Sequence, residues 1–440
     1  MREEQAISRS IYELLVNEED ARVCKDISED ACRETPRSFV LQLLALFLTK
    51  LGDAIASPKT VLSWVMASVQ APTALIGFLV PIRESGSLIP QLFIASFVRQ
   101  LPVRKWVWVA GSVIQAVAVV GIGLAALSLR GAAAGWTILG LLALFSLARG
   151  LCSVASKDVL GKTIARTRRG QLTGWSASAA GLVSIGVGVF LLVRGAGGAG
   201  EAGAGLLAAL LVGAGVLWLL AAAVYAQIPE YPGATEGGAN AITEGLAKLS
   251  LLASDVPFRK FVIARSLLLC SALSAPYYVL LARETAGTAA SLLGLFVIAA
   301  GLADLVAAPV WGRLSDRSSR RVMIHGGVLS AAIGALLFLA DEFLPGLVAQ
   351  AWFVPLAYFL LSIAHGGVRV GRKTYVVDLA QGNRRTDYVS VSNSVIGVVL
   401  LLAGLSGALS TVLSTSGIIL VLSLMGFAGS IMSASLPEIE

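Results

Sequence analysis

Several charged and hydroxylic side chains of this chain lie inside long apolar runs, and their spacing is the first sign of chemistry. Lys50, Asp53, Ser57 and Thr60 recur at steps of three, four and three, which sets one polar stripe along one face of a helix. Arg83, Glu84, Ser87 and Gln91 form a comparable stripe in the next run, with Pro81 and Pro90 on either side. A charge at the centre of a membrane helix costs at least about 2.5–3.5 kcal/mol, so these groups face the protein interior, either as permanent ion pairs or as working groups. Asp53 and Glu84, partly desolvated and close to a cation, can take up and release a proton, and both are candidate proton sites. Asp304 is a third, a lone carboxylate that pairs with Arg265 or faces a cavity. Lys50, Arg83 and Arg149 are candidate cavity cations, Arg149 being able to hold an anionic group through two parallel hydrogen bonds. His365 is a candidate titrating group. Thr173, Ser176 and Ser178, set against Ser390, Ser392, Asn393 and Ser394, either let helices pack closely or offer hydroxyl and amide groups to a solute.

The elements that carry these residues are membrane helices. Of 440 residues, 56% are hydrophobic and 14% charged, against about 45–50% and about 25% in soluble chains. Mean hydropathy is +0.80. Twelve apolar runs are long enough to cross a hydrocarbon core of about 30 Å. They span 39–68, 72–98, 104–129, 135–157, 171–194 and 205–227, then 258–282, 288–311, 321–341, 348–369, 387–412 and 416–436. A Gly-rich, polar connector from Pro229 to Asp255 separates two groups of six, with a surface helix expected near Ile242 to Leu252. The expected domains are a cytosolic tail (1–38), a first six-helix bundle (39–228), a cytosolic linker (229–257) and a second bundle (258–440). Ile7, Ile11, Leu14 and Leu15 suggest a short amphipathic segment in the tail.

The net charge of +7 sits in short loops rather than in one patch, which argues for positive-inside topology and against nucleic acid. Arg99, Arg104, Lys105, Lys162, Arg166, Arg168 and Arg169, with Arg313, Arg317, Arg320, Arg321, Arg372, Lys373, Arg384 and Arg385, fall on the side of both termini. The opposite loops hold Arg130, Arg194 and Arg283. Both termini are therefore expected in the cytosol, the protein lying in the plasma membrane, or the inner membrane of a bacterium. Cys24, Cys32, Cys152 and Cys270 lack CxxC spacing, so neither a disulfide nor a metal site is expected. No nucleophile motif appears, and neither an enzyme nor a cofactor is expected. The run SKDVLGKT from Ser156 to Thr163 approaches a phosphate loop but lacks its first glycine and ends a membrane helix.

A repeat gives the chain its plan. Arg104 and Lys105 stand 216 residues before Arg320 and Arg321 (320 minus 104). The same offset pairs Trp136 with Trp352, Gly150 with Gly366, Lys157 with Lys373, Arg168 with Arg384, Ser176 with Ser392 and Arg149 with His365. A constant offset over this length implies a duplicated unit. The most specific motif, WGRLSDRSSRR from Trp311 to Arg321, resembles the loop between the second and third helices of each half in the major facilitator superfamily. Gly312, Leu314, Asp316, Arg317, Arg320 and Arg321 match. In the first copy Ser96 replaces Gly312 and Gln100 replaces Asp316.

The resemblance, over roughly Phe39 to Pro437, implies an all-α membrane protein of twelve helices in two pseudo-symmetric bundles that rock about a central site. It implies that the first, fourth, seventh and tenth helices line the cavity, which would place Arg149 and His365 there. It also implies that Asp316 and Arg320 latch the cytosolic side, Gly312 allowing close approach of helix ends. The expected function is secondary transport of a small organic solute, anionic or zwitterionic, coupled to protons, with membrane lipids as surroundings. A lysophospholipid carrier and a drug and proton efflux pump are the alternatives within transport, although the fifth helix has Gly181, Gly186 and Gly188 without the proline of the antiporter signature. A membrane sensor or scaffold is the alternative outside it.

Overall fold

A computed structural model of the chain describes residues 11–12, 29–165, 168–196, 203–233, 235, 248–315, 317–380 and 385–439. Asp316, Arg166, Arg384, most of the N-terminal tail and residues 236–247 of the connector lie outside them.

The described chain is all-α, and eleven of its helical stretches are long and apolar enough to cross a membrane. The twelfth segment is present in pieces. Residues of the second apolar run form three short helices, Thr73–Ile76, Leu79–Leu88 and Gln91–Arg99, with Pro72 and Pro90 immediately before the first and third. Proline lacks the amide and crowds the preceding turn, so it begins helices and interrupts continuing ones. The first segment breaks for the same reason, between Thr35–Ile55 and Val61–Ser68, around Pro58. Here Ser63 donates to the Pro58 carbonyl at 2.6 Å and the Leu62 amide to Ser57 at 2.9 Å, so polar backbone freed by the break is satisfied locally. The expected stripe from Lys50 to Thr60 is therefore not continuous: Lys50 and Asp53 lie on one helix, and Ser57 and Thr60 belong to the break.

The seventh segment is also divided, into Val256–Leu267, Cys270–Leu273 and Ala275–Ala286. The unbroken segments are Lys105–Ser128, Gly131–Thr163, Arg169–Ala196, Ala204–Ala226, Ala290–Ser315, Ser319–Phe343, Phe353–Leu379 and Thr415–Ala434. The eleventh runs as an α-helix over Arg385–Ala403 and tightens to a 3-10 helix over Gly404–Thr411. Leu182, Phe190, Leu336, Phe343 and Ile431 are among the large apolar side chains left on the outer surface, as a lipid-facing wall requires.

The two halves pack alike. In the first, the third segment packs on the fourth and sixth, and the first on the fifth and sixth; in the second, the ninth packs on the tenth and twelfth, and the seventh on the eleventh and twelfth. Contacts between halves run from mid-molecule to the face away from the termini. The fifth segment lies against the eighth so closely that a Cβ on Gly294 would stand 2.6 Å from the Gly188 carbonyl and from the Leu192 amide. The second segment meets the eleventh where Gly77 and Gly407 abut, a Cβ on Gly77 coming 2.7 Å from the Gly407 Cα. Arg283 closes the same face, donating to the Trp64 carbonyl at 3.1 Å with its guanidinium 4.9 Å from the Trp64 ring.

Overpacking a close contact costs about 1–3 kcal/mol. Gly294→Val and Gly407→Leu are each expected to hold the face away from the termini ajar, read as faster labelling of a single cysteine introduced at Ala74 by an impermeant maleimide. Labelling no faster than in the parent would mean these glycines do not set the closure.

Candidate functional site

At mid-molecule Asp53 is gripped from two sides. Its Oδ1 accepts from Arg83 Nη2 at 2.8 Å and its Oδ2 from Arg149 Nη1 at 2.5 Å, joining the first, second and fourth segments through one carboxylate. Arg83 is the more enclosed cation, 11% exposed against 36% for Arg149, and it also lies 4.7 Å above the Phe145 ring. The expectation of a Lys50 pair is replaced by these arginines as direct partners, with Lys50 close enough to feel Asp53, Arg149 and Asp304. Guanidinium offers several donors in fixed geometry, which suits a carboxylate shared between helices.

Glu84, one residue on from Arg83, points elsewhere. Its charged neighbours are Arg83, Lys59, Arg372 and Arg149, yet among the described residues no cation lies within ion-pair distance of it. It is exposed while being surrounded by charges from several segments, which places it on the wall of a space between the halves and not on the outer surface. Across that space Arg369 and Arg372 follow His365 at steps of four and three on the tenth segment, so the three share one face. Asp304 pairs with Arg369 at 3.5 Å, correcting the expected partner Arg265. Arg265 instead donates to Ser392 at 2.5 Å and to Asn393 Oδ1 at 2.9 Å, so these two candidate cavity residues serve a buried guanidinium. His365 Nδ1 lies 3.0 Å from Ser271 Oγ and has Lys59, Arg369 and Arg372 as charged neighbours.

Lys59 and Arg372 are the residues that the sequence did not single out. Lys59 follows Pro58 in a break that no helical stripe can describe, and Arg372 reads as an ordinary loop charge beside Lys373. The 365, 369, 372 spacing was the available signal. A separate lateral groove of 530 Å³, lined by Ile55, Val187, Phe190 and Leu210, is apolar and stands apart from these charges. Among the described residues no group of His, Cys, Asp and Glu could hold a metal. Cys32 is disulfide-bonded, which overturns the expectation of none, because pairing depends on where the fold brings sulfurs and not on their spacing; Cys152 and Cys270 are free and buried.

On the face that carries the termini, each half ties its basic loop to a carboxylate that follows its sixth segment. Glu230 accepts from the amides of Arg104 at 3.0 Å and Lys105 at 2.7 Å, at the start of the third segment, and pairs with Lys162 at 2.9 Å. Asp158 adds ion pairs to Arg104 and Lys162. In the second half Glu438 accepts from Ser318 at 2.5 Å and pairs with Arg320, while Arg321 lies 3.8 Å away. Ser318 also caps the ninth segment through the Arg321 amide. Arg320 is thus held by Glu438, whereas Asp316 lies outside the described residues and Arg317 is exposed. Nothing lies within 4 Å of a Cβ built on Gly312, so close helix approach does not require that glycine here. The sequence signal is the pair Ile228-Pro229-Glu230 and Leu436-Pro437-Glu438, 208 residues apart (438 minus 230), an offset that the 216-residue repeat conceals.

The arrangement is a charged wall between two pseudo-symmetric helical bundles, with contacts between halves at one face and, among the described residues, ion pairs within each half at the other. The family model for the Major Facilitator Superfamily matches residues 268–438. The xylose transporter XylE of E. coli, in an inward open conformation, is similar in fold with a TM-score of 0.67 and 14% identity over 91% of this chain and 97% of that one. A nucleoside transporter, NupG, gives 0.66 and 14% over 90% and 98%. A POT family transporter in complex with a thioalcohol-conjugated peptide gives 0.68 and 10% over 90% and 95%. No curated protein matches by sequence. The second half of the chain is thus similar in sequence to the Major Facilitator Superfamily, and the whole membrane-spanning chain shares the fold of these transporters.

Two measurements test the site. Removing one partner of a buried ion pair costs about 3–5 kcal/mol; Asp53 is 20% exposed, so Asp53→Asn is expected to lose about 2–3 kcal/mol in thermal unfolding in detergent. Arg149→Ala, which leaves the Arg83 pair intact, should lose less, and the reverse order would remove Asp53 from the centre of the network. At the latch, the Ser318 hydrogen bond and the Arg320 and Arg321 charges hold the Glu438 carboxyl below its ordinary range. A depressed carboxyl stabilises above its unfolded value, about 4.3, and that stabilisation is lost as pH falls through the folded value. Parent and Glu438→Gln unfolding temperatures should therefore differ at neutral pH and converge in acid; a constant difference would show that the charge of Glu438 plays no part.

Proposed function

We propose that the chain is a secondary transporter that moves a small organic solute with protons by alternating access, the bodies 39–228 and 258–440 rocking about the charged wall. With positive-inside orientation the termini and the latches lie in the cytosol, and the contacts between halves close the outer face, so the cavity opens inward. Sugars, nucleosides and peptides appear in the names of the similar structures, which supports a solute of that size without choosing among them.

Glu84 is the proposed proton carrier. The observation behind this is the contrast between the two central carboxylates of the first bundle: both oxygens of Asp53 are bonded within its own half, whereas Glu84 makes no direct ion pair among the described residues and has cations of both halves as neighbours. Protonating Glu84 would weaken its attraction to Arg372 across the cavity, which changes the balance between the two arrangements of the bundles. Asp53 in this reading positions Arg149 at the cavity edge.

The test uses proteoliposomes loaded with pyranine and presented in turn with glucose 6-phosphate, succinate, glucose, uridine and dialanine. At least one solute should acidify the lumen with the parent protein. Glu84→Gln should still exchange that solute across the membrane while the pyranine signal stays flat. Uptake with no proton movement in the parent, or an unchanged proton signal in Glu84→Gln, would overturn the coupling.

A further inference from the structure

The cations around the central space outnumber the carboxylates that can neutralise them. Lys59, Arg265, Arg372 and Lys373 make no ion pair with any described carboxylate, and Arg369 shares the only nearby one that is paired, Asp304, at 3.5 Å. Glu84 is the remaining carboxylate within electrostatic reach of Lys59, Arg372 and Lys373. Arg265 is 7% exposed, and its Nε, like that of Arg372, is buried without an acceptor among the described residues. Buried guanidinium nitrogens that lack acceptors are costly unless something else accepts from them.

From this we infer that the cluster Lys59, Arg265, Arg372 and Lys373 is an oxyanion site, and that the transported solute carries a carboxylate or phosphate group which binds there in competition with Glu84. The inference rests on the alternating-access reading for its cavity, and it adds the chemical class of the solute and the residues that read it. The cluster draws on the first, seventh and tenth segments, so it spans both halves, and an anion bridging Lys59 to Arg372 would draw them together. Charge-assisted bonds from guanidinium to carboxylate or phosphate are the strong, geometrically specific kind. Glu84 is faced by Lys59, Arg83, Arg149 and Arg372, and Lys59 in turn by Arg369, Arg372 and Asp304. A proton on Glu84 removes the negative charge that competes with the solute for Lys59 and Arg372. Proton and anion then assist each other's binding, as linkage requires.

Binding to the purified protein in detergent tests this without any transport step. Succinate, glucose 6-phosphate and inorganic phosphate are titrated by calorimetry, with glucose and choline as neutral and cationic controls and lysophosphatidylglycerol as a lipid source of the same headgroup chemistry. At least one oxyanion should bind while glucose and choline do not. Its affinity should fall at least about tenfold in Arg372→Gln and recover partly in Arg372→Lys. In Glu84→Gln it should rise at neutral pH and keep only the pH dependence that the anion's own ionisation gives. Binding by lysophosphatidylglycerol with none by the soluble anions would support the site and assign its anion to lipid. Absence of all anion binding, or binding unchanged by Arg372→Gln in a folded variant, would overturn the inference. Because this readout needs no proton gradient, proton coupling can fail in vesicles while the anion site stands, and the reverse.

Discussion

Everything at the centre of this protein depends on the cost of keeping charge away from water. A guanidinium enclosed among helices is tolerated when a carboxylate or several oriented dipoles answer it. Asp53 answers two of them, and in doing so fixes the first segment against the second and fourth. The helix breaks near Pro58 and Pro90 follow the same logic. They sit beside the charged wall, where polar backbone released from a helix can be satisfied by neighbouring groups instead of facing lipid. The broken first, second and seventh segments are those that supply Asp53, Lys59, Arg83, Glu84 and Arg265.

The two ends of the molecule are held by different physics. At the face away from the termini, closure rests on glycines that let backbones touch, helped by Arg283 over Trp64; such contacts are short-ranged and either made or lost. At the face of the termini, each half fastens its own basic loop with a carboxylate, Glu230 or Glu438, set against the start of a helix where amides and hydroxyl groups favour negative charge. Those latches stiffen each bundle, and among the described residues they do not tie one bundle to the other. A pair of rigid bodies joined by small-residue contacts at one end is what rocking motion needs.

The asymmetry between the halves matters as much as their similarity. The first half carries a self-contained clamp, Asp53 with Arg83 and Arg149. At its wall the second carries Arg265, Arg369, Arg372 and Lys373, of which, among the described residues, Arg369 alone has an ion pair, with Asp304, and Glu84 reaches towards them from the other side. Duplication supplied the scaffold, and divergence at equivalent places, Arg149 against His365 for example, gave one wall a carboxylate shared by two arginines and left the other with cations that have no carboxylate of their own.

Most of the fold was legible in the residues. Apolar runs longer than a membrane is thick, short basic loops on one side, and the 216-residue offset fix a duplicated twelve-segment plan, because bilayer thickness and the duty to satisfy backbone polar groups leave few other solutions. The candidate residues Asp53, Arg83, Glu84 and Arg149 were legible for the same reason, since charge in an apolar run has few places to go. Their partners were not. Arg83 and Arg149 converge on one carboxylate from segments far apart in sequence, Asp304 pairs with Arg369 and not with Arg265, and Glu438, from beyond the twelfth segment, holds Arg320. Hydropathy and periodicity fix which face a side chain takes along its own helix, but they are blind to the rotation and depth of that helix relative to its neighbours. Packing of whole segments sets those two quantities, and they decide which charges meet.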